Sequence, residues 1–309
     1  MSVTIERAPE TPHSESREDA TKGITAFIKR NAVAIYYALA FAISWGGIVL
    51  IQGPRGLLST GATMPVAGGV ALVAGPAVAG VLMTSLVDGK AGLRRLVSRL
   101  GRWRVGPRWY AAALLTGPLV IGATLFGLSL AFPEFRPSFV TSDDKLSIVV
   151  AGIVLGLAGP FFEELGWTGF ALPRLRQRYA VLTTGLVMGV LWGLWHFPMF
   201  AGTTDPAGTV PTALVVGALL FAWLLPYRVL MVWVYDRTES LLIAILMHAP
   251  ITAISYILAP SAGISGTVLV TPVLVYAAVF WVIVAIVAGA NGGHLTRQSE
   301  AATQRGMPV

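Results

Sequence analysis

Two adjacent carboxylates, Glu163 and Glu164, sit in Gly159-Pro160-Phe161-Phe162-Glu163-Glu164-Leu165-Gly166-Trp167-Thr168-Gly169-Phe170, a stretch otherwise apolar enough to lie in a bilayer. An ionised carboxylate at that depth costs at least about 2.5 kcal/mol, so a chain that keeps two is expected to use them. His196, in Leu191-Trp192-Gly193-Leu194-Trp195-His196-Phe197-Pro198, and His248, in Leu246-Met247-His248-Ala249-Pro250-Ile251-Thr252, share that setting, whereas His13 and His294 lie near the chain ends. Carboxylates and imidazoles on three apolar spans could carry general acid–base chemistry on water. Alternatively, Glu163, His196 and His248 could hold zinc as a two-histidine, one-carboxylate site. No His-Glu-x-x-His pattern preorganises a metal on one helix. Successive helical residues point about 100° apart, so only one of Glu163 and Glu164 can face a reacting centre, and the other is expected to be structural. Glu164 and Thr168, Trp192 and His196, and His248 and Thr252 each stand one helical turn apart and so share a face.

These groups can act together only if their spans bring them to one depth. Glu163 lies about 16 Å along a straight helix from Arg174, and His248 lies about 16 Å from Arg237. His196 agrees, at about 18 Å, if its span enters the membrane near Thr184. Pro160, Pro198 and Pro250 stand beside the three polar groups and each removes a backbone donor, which predicts kinks and a widened, water-accessible cavity.

The elements that must do this positioning are transmembrane helices. The chain has 309 residues, of which 55% are hydrophobic and 12% charged, with a mean hydropathy of +0.72; soluble domains average about 25% charged. Apolar runs of spanning length fall at 31–51, 64–87, 109–131, 146–164, 182–200, 210–234, 240–258 and 266–289. The expected fold is therefore all-α, a polytopic membrane protein with about eight transmembrane helices. No run alternates as a lipid-facing β-strand would. Residues 31–290 form a single transmembrane domain, preceded by a disordered tail over 1–30 and followed by a second tail over 291–309.

Lysine and arginine divide 19 to 3 between the two sides, which places both termini in the cytoplasm. The net charge of +7 is spread over short loops, so it points to topology and to an anionic inner leaflet, not to nucleic acid. Leu93, Leu96, Val97 and Leu100 share one face of the arginine-rich segment 90–100, which is expected to lie along that leaflet. The absence of cysteine excludes thiol nucleophiles, disulfides and thiolate metal sites. Arginine outnumbers lysine 18 to 4 beside abundant Ala, Gly and Val, a composition pointing to a bacterial cytoplasmic membrane.

With these residues in view, the chain resembles the CPBP family of intramembrane proteases, also called Abi, which includes type II CAAX prenyl endopeptidases and bacteriocin-processing or immunity proteins. The resemblance covers about residues 146–258. The family's Glu-Glu-x-x-x-Arg motif corresponds to Glu163 through Thr168, its Phe-x-x-x-His motif to Trp192 through His196, and its His-x-x-x-Asn motif to His248 through Thr252. Trp192 keeps an aromatic ring, a change expected to matter little. Thr168 stands in place of an arginine that would pair with Glu164, so Glu164 must find Arg174, Arg228, water or a proton. Thr252 replaces an amide by a hydroxyl.

The resemblance implies peptide-bond hydrolysis of a membrane-associated protein or peptide. In that reading Glu163, assisted by His196, activates water, while His248 and Thr252 donate to the developing oxyanion. Members of the family are often labelled metalloproteases, but no cofactor is firmly implied, and zinc on Glu163, His196 and His248 competes with metal-free chemistry. Two further readings are a catalytically impaired scaffold, immunity or regulatory protein of the same fold, and a proton-coupled transporter. The second lacks the repeated halves such transporters carry.

Overall fold

In the computed structural model, residues 23–58, 64–203, 208, 210–259 and 266–296 are described. They form eight principal helices: α1 Ala32–Gln52, α2 Val66–Leu100, α3 Pro107–Ala131, α4 Lys145–Arg176, α5 Val181–Trp195, α6 Thr212–Thr238, α7 Leu241–Ile257 and α8 Gly266–Ala290. There is no β-strand among the described residues. Each helix falls on one of the apolar runs read from the sequence. Six of them are long and apolar enough to cross a membrane, whereas α5 and α7 are shorter. A straight helix as short as α5 rises only about 22 Å, against roughly 30 Å of hydrocarbon. The two short helices are the ones that carry or adjoin His196 and His248.

Residues 23–30, placed within the N-terminal tail by composition, are helical up to a turn at Asn31. Residues 1–22 and 297–309 of the two expected tails lie outside the described residues.

The helix bearing the carboxylate pair is at the centre. α4 packs against α2 on one side and α7 on the other, α1 covers α2, α3 covers α7, and α5 packs on α6. Lipid tails are as apolar as leucine, so helices in a bilayer associate through close packing, and small residues at the crossings allow it. At the α2–α4 crossing, a Cβ on Gly80 would lie 2.7 Å from the Cα of Gly166, and one on Gly166 would collide with the Pro76 carbonyl and the Tyr36 hydroxyl. At the α4–α7 crossing, a Cβ on Gly156 would come within 2.8 Å of the Ala253 backbone. These contacts fix how far α4 sits from the helices on either side of its carboxylates.

Two irregularities bear on the site. Immediately after the carboxylates, α4 widens into a π-turn over Trp167–Ala171 before closing as Leu172–Arg176; such single-turn widenings are frequent at functional sites. α2 breaks at Gly89 (φ 60, ψ −154), separating its apolar part from the basic arm that follows. That arm was expected to lie along the leaflet. Part of its apolar face is taken by the α7 N-terminus: Leu96 is buried against Leu241 and Ile245, while Val97 stays exposed.

Candidate active site

The two carboxylates occupy opposite environments. Glu164 is fully buried and surrounded by donors: Arg228 Nη1 lies 3.0 Å from its Oε1, His248 Nδ1 lies 2.9 Å from the same oxygen, and the Thr168 hydroxyl donates to Oε2. Glu163, 5% exposed, receives one hydrogen bond from the described residues, from the Trp192 indole Nε1 to its Oε2 at 2.8 Å. The 100° offset between successive helical residues produces this split. Glu164 turns toward α6 and α7, and Glu163 toward α5.

The cation beside Glu164 is Arg228, on α6. Counted from sequence among the inner-loop charges, it is in fact completely buried, with its guanidinium carbon 4.2 Å from the centre of the Trp192 ring. Arg174 is engaged elsewhere: it donates to Asp88 at 2.6 Å and to the Phe170 carbonyl at 2.9 Å, and lies over the Phe170 ring. A buried ion pair is tolerable only when further hydrogen bonds satisfy its remaining valences. For Glu164, Thr168 and His248 supply them.

Hydrogen-bond chemistry fixes both imidazole tautomers. An ionised carboxylate only accepts, so His248 carries a proton on Nδ1 where it meets Glu164. His196 Nδ1 lies 2.8 Å from the Trp192 carbonyl, which also only accepts, so its proton is on Nδ1 as well. In its neutral form each ring then presents Nε2 as an acceptor; His248, held by a carboxylate, can take a second proton and become a charge-assisted donor. The Trp192 ring is the hub between them, with its centroid 4.9 Å from that of His248 and 5.4 Å from that of His196.

Thr252 does not face this cluster as a free donor: its hydroxyl donates to the His248 carbonyl at 3.1 Å, one turn back in its own helix. α5 ends at Trp195, with His196 as its C-terminal cap ahead of the short helix Phe197–Phe200, whose second residue is Pro198. α4 and α7 run on through Pro160 and Pro250. Around them Trp192, Arg228 and His248 are all buried.

A metal reading needs three donors turned toward one point. Among the described residues no group of three or more histidine and acidic side chains is so arranged. Glu163 Oε2 is taken by the Trp192 indole, and Nδ1 of each imidazole by another acceptor, which leaves Nε2 as the free nitrogen of each ring. The donor set in this geometry does not fit a tetrahedral zinc.

Several contributors could not be found from motif spacing. α1 brings Tyr36 and Tyr37 against Trp167, with ring centroids 5.7 and 5.4 Å away. The Tyr36 hydroxyl, Trp167 Nε1, and Nε and Nη2 of Arg228 are buried without a hydrogen-bond partner among the described residues; in native proteins ordered water satisfies such groups. From α2, Arg99 donates to the Gly169 carbonyl inside the π-turn at 2.7 Å and to the Tyr235 hydroxyl at 2.9 Å. The only sequence signal for these was the presence of polar aromatic and basic residues at the margins of apolar runs.

Residues 145–254 match the family model of the type II CAAX prenyl endopeptidase Rce1-like proteins. This segment resembles the Rce1-like proteins. It contains all three motifs and every member of the cluster from Glu163 to Thr252, so the CPBP resemblance holds. CAAX prenyl protease 2 of Methanococcus maripaludis is 30% identical over 125 residues, which make up 40% of this chain and 45% of that protein. The match thus spans less than half of that relative. α1 and α2, which pack toward the cluster, lie outside the Rce1-like segment.

Proposed function

We propose that the protein is an intramembrane endopeptidase acting on a membrane-associated protein or peptide, with Glu163 as its general base. The observation that carries this reading is the asymmetry of the carboxylates. Arg228, Thr168 and His248 together saturate Glu164, whereas Glu163 is oriented by one neutral indole and keeps an oxygen free of hydrogen bonds from the described residues. Glu163 takes a proton from water, with the acceptor Nε2 of His196 orienting that water, and the resulting hydroxide attacks the scissile carbonyl. His248, protonated at both nitrogens and held by Glu164, donates from Nε2 to the oxyanion. Glu163 then returns its proton to the leaving amine. Thr252 secures the backbone of the turn that carries His248. The reading is metal-free because Glu163, His196 and His248 form no three-donor group among the described residues.

The alternative of an impaired scaffold rests on Thr168 and Thr252, which stand in place of the family's arginine and asparagine. Arg228 at 3.0 Å from Glu164 supplies the cation that Thr168 lacks, which favours the peptidase reading. Incubating detergent-purified protein with a peptide library, beside Glu163→Ala, tests the assignment, and cleavage lost in the variant is expected. Library cleavage equal in both proteins would reject it. Zinc should be substoichiometric by plasma mass spectrometry, and any inhibition by phenanthroline should be matched by its non-chelating isomer. One tightly held zinc per chain, required for activity, would replace the glutamate mechanism with a metallopeptidase.

A further inference from the structure

A second polar site lies at the arginine-rich end of the bundle, where the link between α2 and α3 meets the C-terminus of α6. Arg102, Arg104, Gly106, Trp109, Arg237 and Thr238 line a cleft of about 260 Å³ there. Its charges do not balance. Arg102 pairs with Glu239 at 2.7 Å, both side chains being largely exposed. Arg237 donates to Asn291 Oδ1 at 3.1 Å and to the Leu295 carbonyl at 3.4 Å, both neutral, and its Nε is buried without a partner among the described residues. Arg104 lies 5.0 Å over the Trp103 ring and meets no carboxylate among the described residues. The nearest acid on α6, Asp236, is taken by Arg176 at 2.6 Å. Three guanidinium groups therefore share one cleft with one carboxylate at its rim.

We propose that this cleft binds the phosphate of an anionic phospholipid headgroup. Guanidinium forks match phosphate oxygens geometrically, and an anion would satisfy both the surplus charge and the orphaned Nε of Arg237. A membrane source is favoured over a free ion by the surroundings. Trp103 is 59% exposed beside the cleft, and Trp109 packs on Trp233 beneath it, the arrangement of indoles at headgroup level. The cleft is also at the end of the bundle that carries most of the arginine, which the positive-inside rule assigns to the anionic leaflet. The site is independent of the peptidase reading, since Arg237 is about 13 Å along α6 from Arg228.

The test is native mass spectrometry of the purified full chain, delipidated and then mixed with equal amounts of phosphatidylglycerol and phosphatidylcholine. Phosphatidylglycerol adducts should dominate, and Arg104→Gln should weaken them about fivefold, the effect of one interfacial arginine. Arg104 is exposed in a loop, so this variant should melt as the parent does. Arg136→Gln, at the opposite end of α3, should leave the adducts unchanged. Equal phosphatidylglycerol binding by the parent and Arg104→Gln would overturn the site. Inorganic phosphate raising the melting temperature as much as phosphatidylglycerol would overturn the lipid source and assign the cleft to a free anion.

Discussion

Glu163 and Glu164 are neighbours in sequence with opposite surroundings, and single substitutions should separate them. Glu163→Gln keeps size and the indole contact but cannot accept a proton. Cleavage should fall by about 10²–10⁴-fold at normal folded yield, the usual worth of a positioned general base. Glu164→Gln leaves Arg228 buried without a counter-charge and should cost about 3–5 kcal/mol, seen as lost folded protein in size-exclusion chromatography. Equal activity loss at equal yield for both variants would defeat the division of labour. Trp192 gives a finer test. By sequence its ring mattered little, because only its aromatic character was compared; in the structure its Nε1–H is the donor that orients Glu163. Trp192→Phe keeps the ring and removes the donor. A hydrogen bond to a charged group contributes about 1.5–3 kcal/mol, so kcat should fall roughly ten- to a hundredfold with KM little changed. An unaltered kcat would mean that Glu163 is positioned by something other than the indole.

At the scale of elements, the spans were legible and their pairings were not. Hydropathy over a fixed thickness sets helix length, so eight apolar runs translate directly into α1–α8. The pairing of Glu164 with Arg228 is set by how α4, α6 and α7 cross, which no spacing within one helix encodes. The π-turn after Glu164 was equally invisible, because a single widened turn leaves hydropathy unchanged. The family resemblance implied that Thr168 stands in place of an arginine partner of Glu164, with Arg228 among the cations able to replace it. A double-mutant cycle measures this replacement. Arg228→Met should destabilise the protein by about 3–5 kcal/mol by orphaning Glu164. Thr168→Arg alone should also destabilise, since it forces a second guanidinium into a packed, already neutralised site. Combined, the two restore one cation to one carboxylate one turn apart, and the double variant should be more stable than either single one. Strictly additive losses would show that Glu164 and its cation do not determine stability at this crossing.

Across the whole molecule, hydrogen bonds run from the N-terminal helices to Trp195, the neighbour of His196, and so reach the Rce1-like segment from outside it. The Ser44 hydroxyl of α1 donates to the Leu72 carbonyl of α2 at 2.6 Å and accepts from Trp195 Nε1 at 2.9 Å, while Trp45 Nε1 donates to the Trp195 carbonyl at 3.2 Å. Trp195 is the residue before His196, so α1 fastens the point where α5 breaks and the imidazole is presented. Side-chain hydrogen bonds between membrane helices average only about 0.6 kcal/mol in coupling and reach about 1.7. Their loss should therefore alter geometry more than stability. Ser44→Ala leaves Trp195 Nε1 without its acceptor and should lower the melting temperature only slightly. It should nevertheless reduce kcat severalfold, because His196 would no longer be held against the water that Glu163 activates. Trp45→Phe should act in the same direction, and the pair should couple by no more than about 1.7 kcal/mol. A purely structural role for α1 would instead appear as a matched fall in yield and activity, with kcat per folded molecule unchanged. That result would confine the chemistry to the Rce1-like segment and leave α1 and α2 as packing alone.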